Sequence, residues 1–351
     1  MDDFQIYKSY QRLLKNEDLS TPLAAILALT EMMEQSNAGT MFELLTELKG
    51  AAEALSRQSL NPIGLKAGCE LFIEFITLFP HDAASFSELK TELIRQGQRY
   101  AEQALAYRAK IAELAFDFIK DDSVVSSGFM FIDWHDEIDL HIQILTHSYS
   151  RVVLQTLLVA HKRKRISVFV TEARPRGMGI KTAEMLTAAG IPCTVVLDSA
   201  VAYAIDKVDF VLMGSEAVVE SGGLVNAVGS NQIAIIAKAA NKPFYALAES
   251  YKFHRMFPLS QYDLPSHNPG VLSFPQTMSA RARPASSGLP SKASSVLSDN
   301  GSPIRITQED IARNNPDVDY TRPDLISLVF SDVGSLTPEG VSQYLVGMFA
   351  G

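Results

Sequence analysis

Ile166-Ser167-Val168-Phe169-Val170-Thr171-Glu172-Ala173-Arg174-Pro175-Arg176-Gly177 holds the pattern from which the fold is read. A short β-branched apolar run stops at an acidic residue, and a turn rich in Pro and Gly follows. A run so short and so uniformly apolar is a strand covered on both faces, because a strand with one face in water alternates. The event recurs at Thr194–Leu197 before Asp198, at Phe210–Met213 before Gly214-Ser215-Glu216, and at Phe244–Ala248 before Glu249. Helical periodicity lies between the runs, over Arg151–His161, Ile180–Ala189 and Gln232–Ala240, so crossovers join the strands and the sheet is mostly parallel. Ligands of such sheets bind beyond the carboxyl ends of the strands. The spacing therefore predicts that several carboxylates, Glu172, Asp198, Glu216 and Glu249, face one crevice.

Working outward, Gln143–Thr146 is the first strand, and Leu325–Phe330 with a helix over Pro338–Phe349 closes the chain. Ser221–Ser230 reads as a turn or short hairpin. Residues 266–305, rich in Ser, Pro, Ala and Gly without periodicity, read as a mobile surface excursion from the α/β domain, 143–351. Before it, residues 1–122 are helical throughout: Phe4–Leu14, Thr21–Glu34, Thr40–Leu55, Gly64–Leu78, Phe86–Tyr107 and Ile111–Ile119 carry apolar residues at three- and four-residue steps. Ser20-Thr21-Pro22 places a cap before an early proline, and Thr40-Met41-Phe42-Glu43 is a capping-box pattern. The fold class is α/β, an N-terminal helical domain followed by a Rossmann-like, mostly parallel sheet domain. Residues 123–142 fit neither part and read as an insertion, a loop or hairpin. Trp134, His135, Asp136 and His141 fall there or beside it without the further ligand a metal site needs.

The bulk properties narrow the function. With 351 residues the chain can hold two ordinary domains, and no apolar run approaches the roughly 18 residues of a membrane span. Met1-Asp2-Asp3-Phe4 lacks the basic and apolar regions of a secretory signal, so a cytoplasmic protein is expected. Cys69 and Cys193 are far apart and suggest neither disulfide nor zinc. Net charge is −9, with most of the excess in the helical part, a poor footprint for nucleic acid. Lys162-Arg163-Lys164-Arg165 ends a predicted helix, where the dipole and water favour cations.

Motifs of familiar chemistry fail in specific ways. Gly177-Met178-Gly179-Ile180-Lys181-Thr182 has Ile180 where a phosphate loop needs glycine before its lysine. The turn His147-Ser148-Tyr149-Ser150 has no Gly-x-Gly. His147 and Ser148, adjacent on an extended strand, point to opposite sides and make a poor acyl-transfer pair. What survives is an anion site at a helix start, with Arg151 and Arg174 nearby.

The order of motifs adds more. Leu145–Arg151, Val170–Pro175, Asp198–Val201, Gly214–Gly223, Asn241–Tyr245, Asp319–Thr321 and Phe330–Pro338 closely resemble the regulatory subunits of eukaryotic translation initiation factor 2B. Gly64–Cys69 and Arg108–Glu113 extend the resemblance into the helical domain, so it covers nearly the whole chain, and the shortness of that domain is that of the alpha branch. Residues 123–142 and the length of 266–305 depart from the pattern. The same superfamily contains isomerases of sugar 1-phosphates, whose pattern places a cysteine where Ser148 stands and an aspartate where Glu216 stands. Serine is a far weaker acid than a thiol, and the longer glutamate displaces the carboxylate. Of an Asn-Lys pair that holds ligand in those enzymes only Asn226 is kept, with Ala227 in place of lysine.

The resemblance thus implies a non-catalytic subunit of the exchange factor that reloads initiation factor 2 with GTP. It also implies a homodimer, association with beta and delta subunits, and recognition of the phosphorylated alpha chain of factor 2. No cofactor or metal is expected. Ser148, Arg151, Glu172, Arg174, Asp198, Glu216 and Asn226 are expected to line a vestigial pocket for a sugar phosphate or nucleoside monophosphate. Thr40, Glu43 and a basic face of Arg108 and Lys110 are the candidates for meeting the partner. The rival reading is a sugar-phosphate isomerase.

Overall fold

A computed structural model describes residues 3–59, 62–80, 85–119, 141–266 and 307–349. Nearly all of the expected insertion at 123–142 and of the excursion at 266–305 lies outside them.

The chain opens with α1 (Asp3–Leu14), α2 (Thr21–Gln35), α3 (Met41–Gln58), α4 (Ile63–Leu78), α5 (Phe86–Ala104) and α6 (Tyr107–Phe116). Leu23, Ala24, Ala25, Ile26, Ala28, Leu29 and Met33 bury α2 on every side, as an all-round apolar helix requires, and its neighbours wrap it. The Ser20 hydroxyl caps α2 through the Leu23 amide, with Pro22 in its first turn. On α4, Gly68 is obligatory, since a Cβ there would stand 2.5 Å from the Pro22 carbonyl oxygen. The single helix expected over Phe86–Tyr107 stops at Ala104, and Tyr107 starts α6. The smooth apolar periodicity hides this break. Although α6 reads as the end of the helical domain, it buries Ile111 and Ala115 in the core beneath the sheet.

The sheet is built from β1 (Ile142–His147), α7 (Arg151–His161), β2 (Ile166–Thr171), α8 (Gly179–Ala188), β3 (Cys193–Val196), α9 (Val201–Ala204) and β4 (Phe210–Gly214). There follow β5 (Ala217–Val219), β6 (Leu224–Ala227), α10 (Ser230–Ala239), β7 (Phe244–Leu247), β8 (Phe253–His254), α11 (Gln308–Arg313), β9 (Val318–Thr321), β10 (Leu328–Ser331), β11 (Gly334–Leu336) and α12 (Pro338–Phe349). Seven strands run in the order β11-β10-β7-β4-β1-β2-β3, every neighbouring pair parallel except β10 with β11. Leu145 stands opposite both Phe169 and Val211, so β1 is the strand from which the chain winds first one way and then the other. The crevice for a ligand lies at this switch, between the ends of β1 and β4.

A second sheet, ordered β8-β5-β6-β9, was not foreseen. The hairpin expected within Ser221–Ser230 is real but supplies only β6 and the turn before it. Val318-Asp319-Tyr320-Thr321 alternates too briefly to announce a strand, and its partner, Leu224–Ala227, is remote in sequence. Strand β1 also takes in Ile142, counted above with the insertion. Among the described residues no helix is long and apolar enough to cross a membrane.

Candidate functional site

The β1–α7 turn and the end of β4 are forced together. Gly214 closes β4, and a Cβ on it would lie 2.3 Å from the Ser150 hydroxyl, so only glycine lets the two loops meet. Ser148 adopts φ 60°, a left-handed backbone for a residue with a side chain, and its carbonyl accepts a 2.7 Å hydrogen bond from the Thr182 hydroxyl. Beyond this junction opens a cavity of about 450 Å³, lined by Ser148, Arg151, Glu216 and Asn226 together with Arg176, Lys181, Glu249 and Lys252. Glu17, Ser20, Thr21 and Pro22 line it as well, so the connection from α1 to α2 forms part of its wall. The start of α7, which has no side-chain cap, opens toward it.

Four expected residues, Ser148, Arg151, Glu216 and Asn226, therefore meet. Glu172, Arg174 and Asp198 do not join them. Asp198 accepts from the Ala173 amide at 2.9 Å and from the Arg174 amide at 2.7 Å, and Glu172 pairs with Arg174 at 3.2 Å. Arg174 and Asp198 line a separate polar hollow. The cause is local: Asp198, after β3, holds the Ala173 and Arg174 amides and Glu172 pairs with Arg174, so the first part of the β2–α8 turn is tied to the β3 side while Arg176 and Lys181 further along it reach the cavity. Of the four carboxylates expected to face one crevice, Glu216 and Glu249 line it and Glu172 and Asp198 do not.

His147 is buried and pinned, its Nδ1 2.5 Å from the Thr171 hydroxyl and its Nε2 2.9 Å from the Val228 carbonyl oxygen. Burial lowers its pKa, which keeps the ring neutral and structural. The Asn226 amide donates to the Ser230 hydroxyl at 3.0 Å. Arg176 stands 3.8 Å from Glu216 and 3.1 Å from Asp317, and the Lys181 ammonium lies over the Tyr149 ring at 4.5 Å. Neither cation was picked out from the sequence, although Arg-x-Arg-Gly in a βα turn is a signal that could have found Arg176.

The inner wall is a buried charge cluster. Glu249 contacts Lys252 at 2.7 Å and Arg108 at 3.0 Å, and it accepts the Tyr251 hydroxyl at 2.9 Å. Burial alone would raise its carboxyl, but Lys252 and Arg108 outweigh that and hold it at about 2. Arg108 is thus a buried tie and not part of an exposed basic face with Lys110, which is exposed. Thr40 and Glu43 are exposed at the start of α3. The Thr40 hydroxyl accepts the Glu43 amide at 3.2 Å, while the Glu43 carboxylate takes the Gly39 amide at 2.8 Å, one residue before the box pattern would have it. Phe42, 80% exposed between them, had not been singled out.

Fold and crevice together define a class: a helical bundle set on a Rossmann-like sheet, with a polar pocket at the strand switch that the bundle helps to wall. The chain belongs to the initiation factor 2 subunit family, whose profile matches residues 17–338. It is 35% identical to translation initiation factor eIF2B subunit alpha of Dictyostelium discoideum, covering 99% of this chain and 97% of that one. The Caenorhabditis elegans protein of the same name is 33% identical, with 98% of each chain covered. A ribose 1,5-bisphosphate isomerase of Archaeoglobus fulgidus is 28% identical over 84% of this chain and 77% of its own. Among solved structures, the tetrameric eIF2B-beta2-delta2 complex from C. thermophilum shares the fold with a TM-score of 0.68 at 17% identity, over 99% of this chain and 96% of that one.

Proposed function

We propose that this protein is a non-catalytic regulatory subunit of the exchange complex that serves translation initiation factor 2. The observation that carries the reading is likeness over nearly the full length, at 35% and 33% identity, to two proteins named as the alpha subunit of eIF2B. Against an isomerase stand Ser148, a hydroxyl where the resemblance calls for a thiol, and the longer Glu216 carboxylate beside Arg176. In this role the protein joins beta and delta subunits in the cytoplasm and helps to read the phosphorylated alpha chain of factor 2. Thr40, Phe42 and Glu43 are the exposed contact candidates. Reconstitution tests it: the protein should co-purify with beta and delta subunits and confer inhibition by phosphorylated factor 2 on nucleotide exchange.

The subunit acts as a homodimer. β10 and α12 bury Val329, Phe330, Val341 and Leu345 in the core. Exposed apolar side chains gather on edge strand β3 and its flanking helices: Val195, Leu197 at 59% exposure, Ile180, Met185 and Tyr203 at 89%. An open edge beside an apolar patch favours association with a second copy.

The crevice keeps affinity for a small phosphorylated molecule, a sugar phosphate or nucleoside monophosphate. The support is the four cations that line it, Arg151, Arg176, Lys181 and Lys252, together with the uncapped start of α7.

A further inference from the structure

The connection between α1 and α2 is held by two guanidinium groups of unequal standing. Arg108 donates to the Asp18 carbonyl at 2.9 Å and is itself anchored on the buried Glu249. Arg151 donates to the carbonyls of Glu17 and Leu19, the latter at 2.8 Å. Three successive carbonyls of one wall segment thus end on two arginines. Arg151, however, makes no ion pair among the described residues, and both burial and the nearby Arg108 disfavour its charge. The nearest countercharge, Glu249, favours the Arg151 charge but is already paired with Arg108 and Lys252. A half-buried cation whose own hydrogen bonds end on carbonyls, facing a cavity, takes an anion in preference to those carbonyls, because a charge-assisted bond to an anion is the stronger.

We propose that an anionic ligand in the crevice draws Arg151 off the Glu17 and Leu19 carbonyls and so loosens the segment that leads into α2, the central helix of the helical bundle. Crevice occupancy is then reported to the helical face through this segment, while Arg108 on Glu249 keeps the two parts joined. The inference rests on the crevice binding a phosphorylated molecule, and linkage makes it reciprocal: whatever loosens the segment frees Arg151 and tightens the ligand.

That reciprocity gives a test with an unusual sign. Asn16 holds the segment from the outside, accepting the Asp18 amide at 3.0 Å on its side chain; it is exposed and, although next to Glu17, does not itself line the cavity. Ribose 5-phosphate and inorganic phosphate serve as probes in calorimetric titration, with amide exchange followed over residues 15–21. Bound probe should raise exchange in the segment, and Asn16→Ala should bind the probe more tightly, by about fivefold or more. Arg151→Gln should abolish binding and make the segment's exchange indifferent to probe. Unchanged exchange with probe bound, or unchanged or weaker binding by Asn16→Ala, overturns the coupling and leaves the pocket standing. No binding heat from either probe at millimolar concentration removes the pocket reading and the coupling with it.

Discussion

Arg108 Nε lies 3.0 Å from Glu249 Oε1, an ion pair between the start of α6 and the turn that follows β7. Both side chains are buried, and Lys252 and Tyr251 complete the carboxylate's shell. Removing one partner leaves an uncompensated buried charge, which costs about 3–5 kcal/mol. Glu249→Gln is therefore expected to lower stability to denaturant by about 3 kcal/mol at pH 7. The folded carboxyl sits at about 2, below its unfolded value, so the stabilisation is present above the unfolded pKa and fades as pH falls toward 2. Denaturant midpoints of wild type and variant should converge over that acid range; parallel curves would show that Glu249 is not the group responsible.

This pair also shows what the sequence could and could not convey. The strands after which Glu249 and Glu216 fall are legible as apolar runs, because burial on both faces leaves a local pattern. That Arg108 would turn inward to meet Glu249 is not legible, since 141 residues separate them and nothing near Arg108 marks it as buried. The same limit applies to Glu172 and Asp198: their positions at strand ends are legible, but that Asp198 takes the Ala173 and Arg174 amides, 25 and 24 residues away, and so keeps this part of the turn from Glu216, is not. The second sheet escaped because it joins short segments remote in sequence.

A second pair crosses from the helical bundle to the second sheet. His254 Nδ1 on β8 is 3.3 Å from Glu70 Oε2 on α4, with Lys66 one turn earlier on the same helix and Arg255 next in the chain. Burial, with Lys66, depresses His254 to about 4. A histidine whose folded pKa lies below its unfolded value destabilises the fold as pH drops from about 6.5 to 4, because the unfolded chain takes the proton first. The loss is about 3 kcal/mol at most, from 1.36 kcal/mol per unit. Glu70, raised by burial to about 7, acts oppositely, favouring the fold below that pH. His254→Gln should flatten the acid limb between pH 6.5 and 4, measured by urea unfolding; an unchanged limb would assign it to other groups.

The exposed strand edge gives a prediction for assembly. Tyr203→Asp combined with Leu197→Lys adds charge to side chains that are 89% and 59% exposed, so the monomer's fold should be unaffected. Sedimentation should show wild type as a dimer and the variant as a monomer at micromolar concentration. A dimer that survives both substitutions places the interface elsewhere.

Catalysis is the sharpest point of division between the two branches of relatives. With a hydroxyl at Ser148 and Glu216 beside Arg176, wild type is expected to turn over ribose 1,5-bisphosphate no faster than a heat-killed control. Turnover above that control, lost in Ser148→Ala, would instead make the protein an isomerase.

The start of α3 carries the remaining prediction. Thr40, Phe42 and Glu43 are exposed together where a helix dipole presents its positive end, a surface suited to a polar or phosphorylated loop. The Thr40 cap contributes about 1 kcal/mol, so its loss leaves the fold intact. Thr40→Lys and Glu43→Lys are both expected to preserve nucleotide release with unphosphorylated factor 2 in the reconstituted complex and to weaken inhibition by the phosphorylated form. Phe42→Ser, which removes apolar area and leaves the cap alone, separates contact from capping: it should weaken inhibition without lowering thermal stability. Full inhibition of all three variants would move the sensing surface away from α3, whereas loss confined to the two lysine variants would reduce the site to its charge.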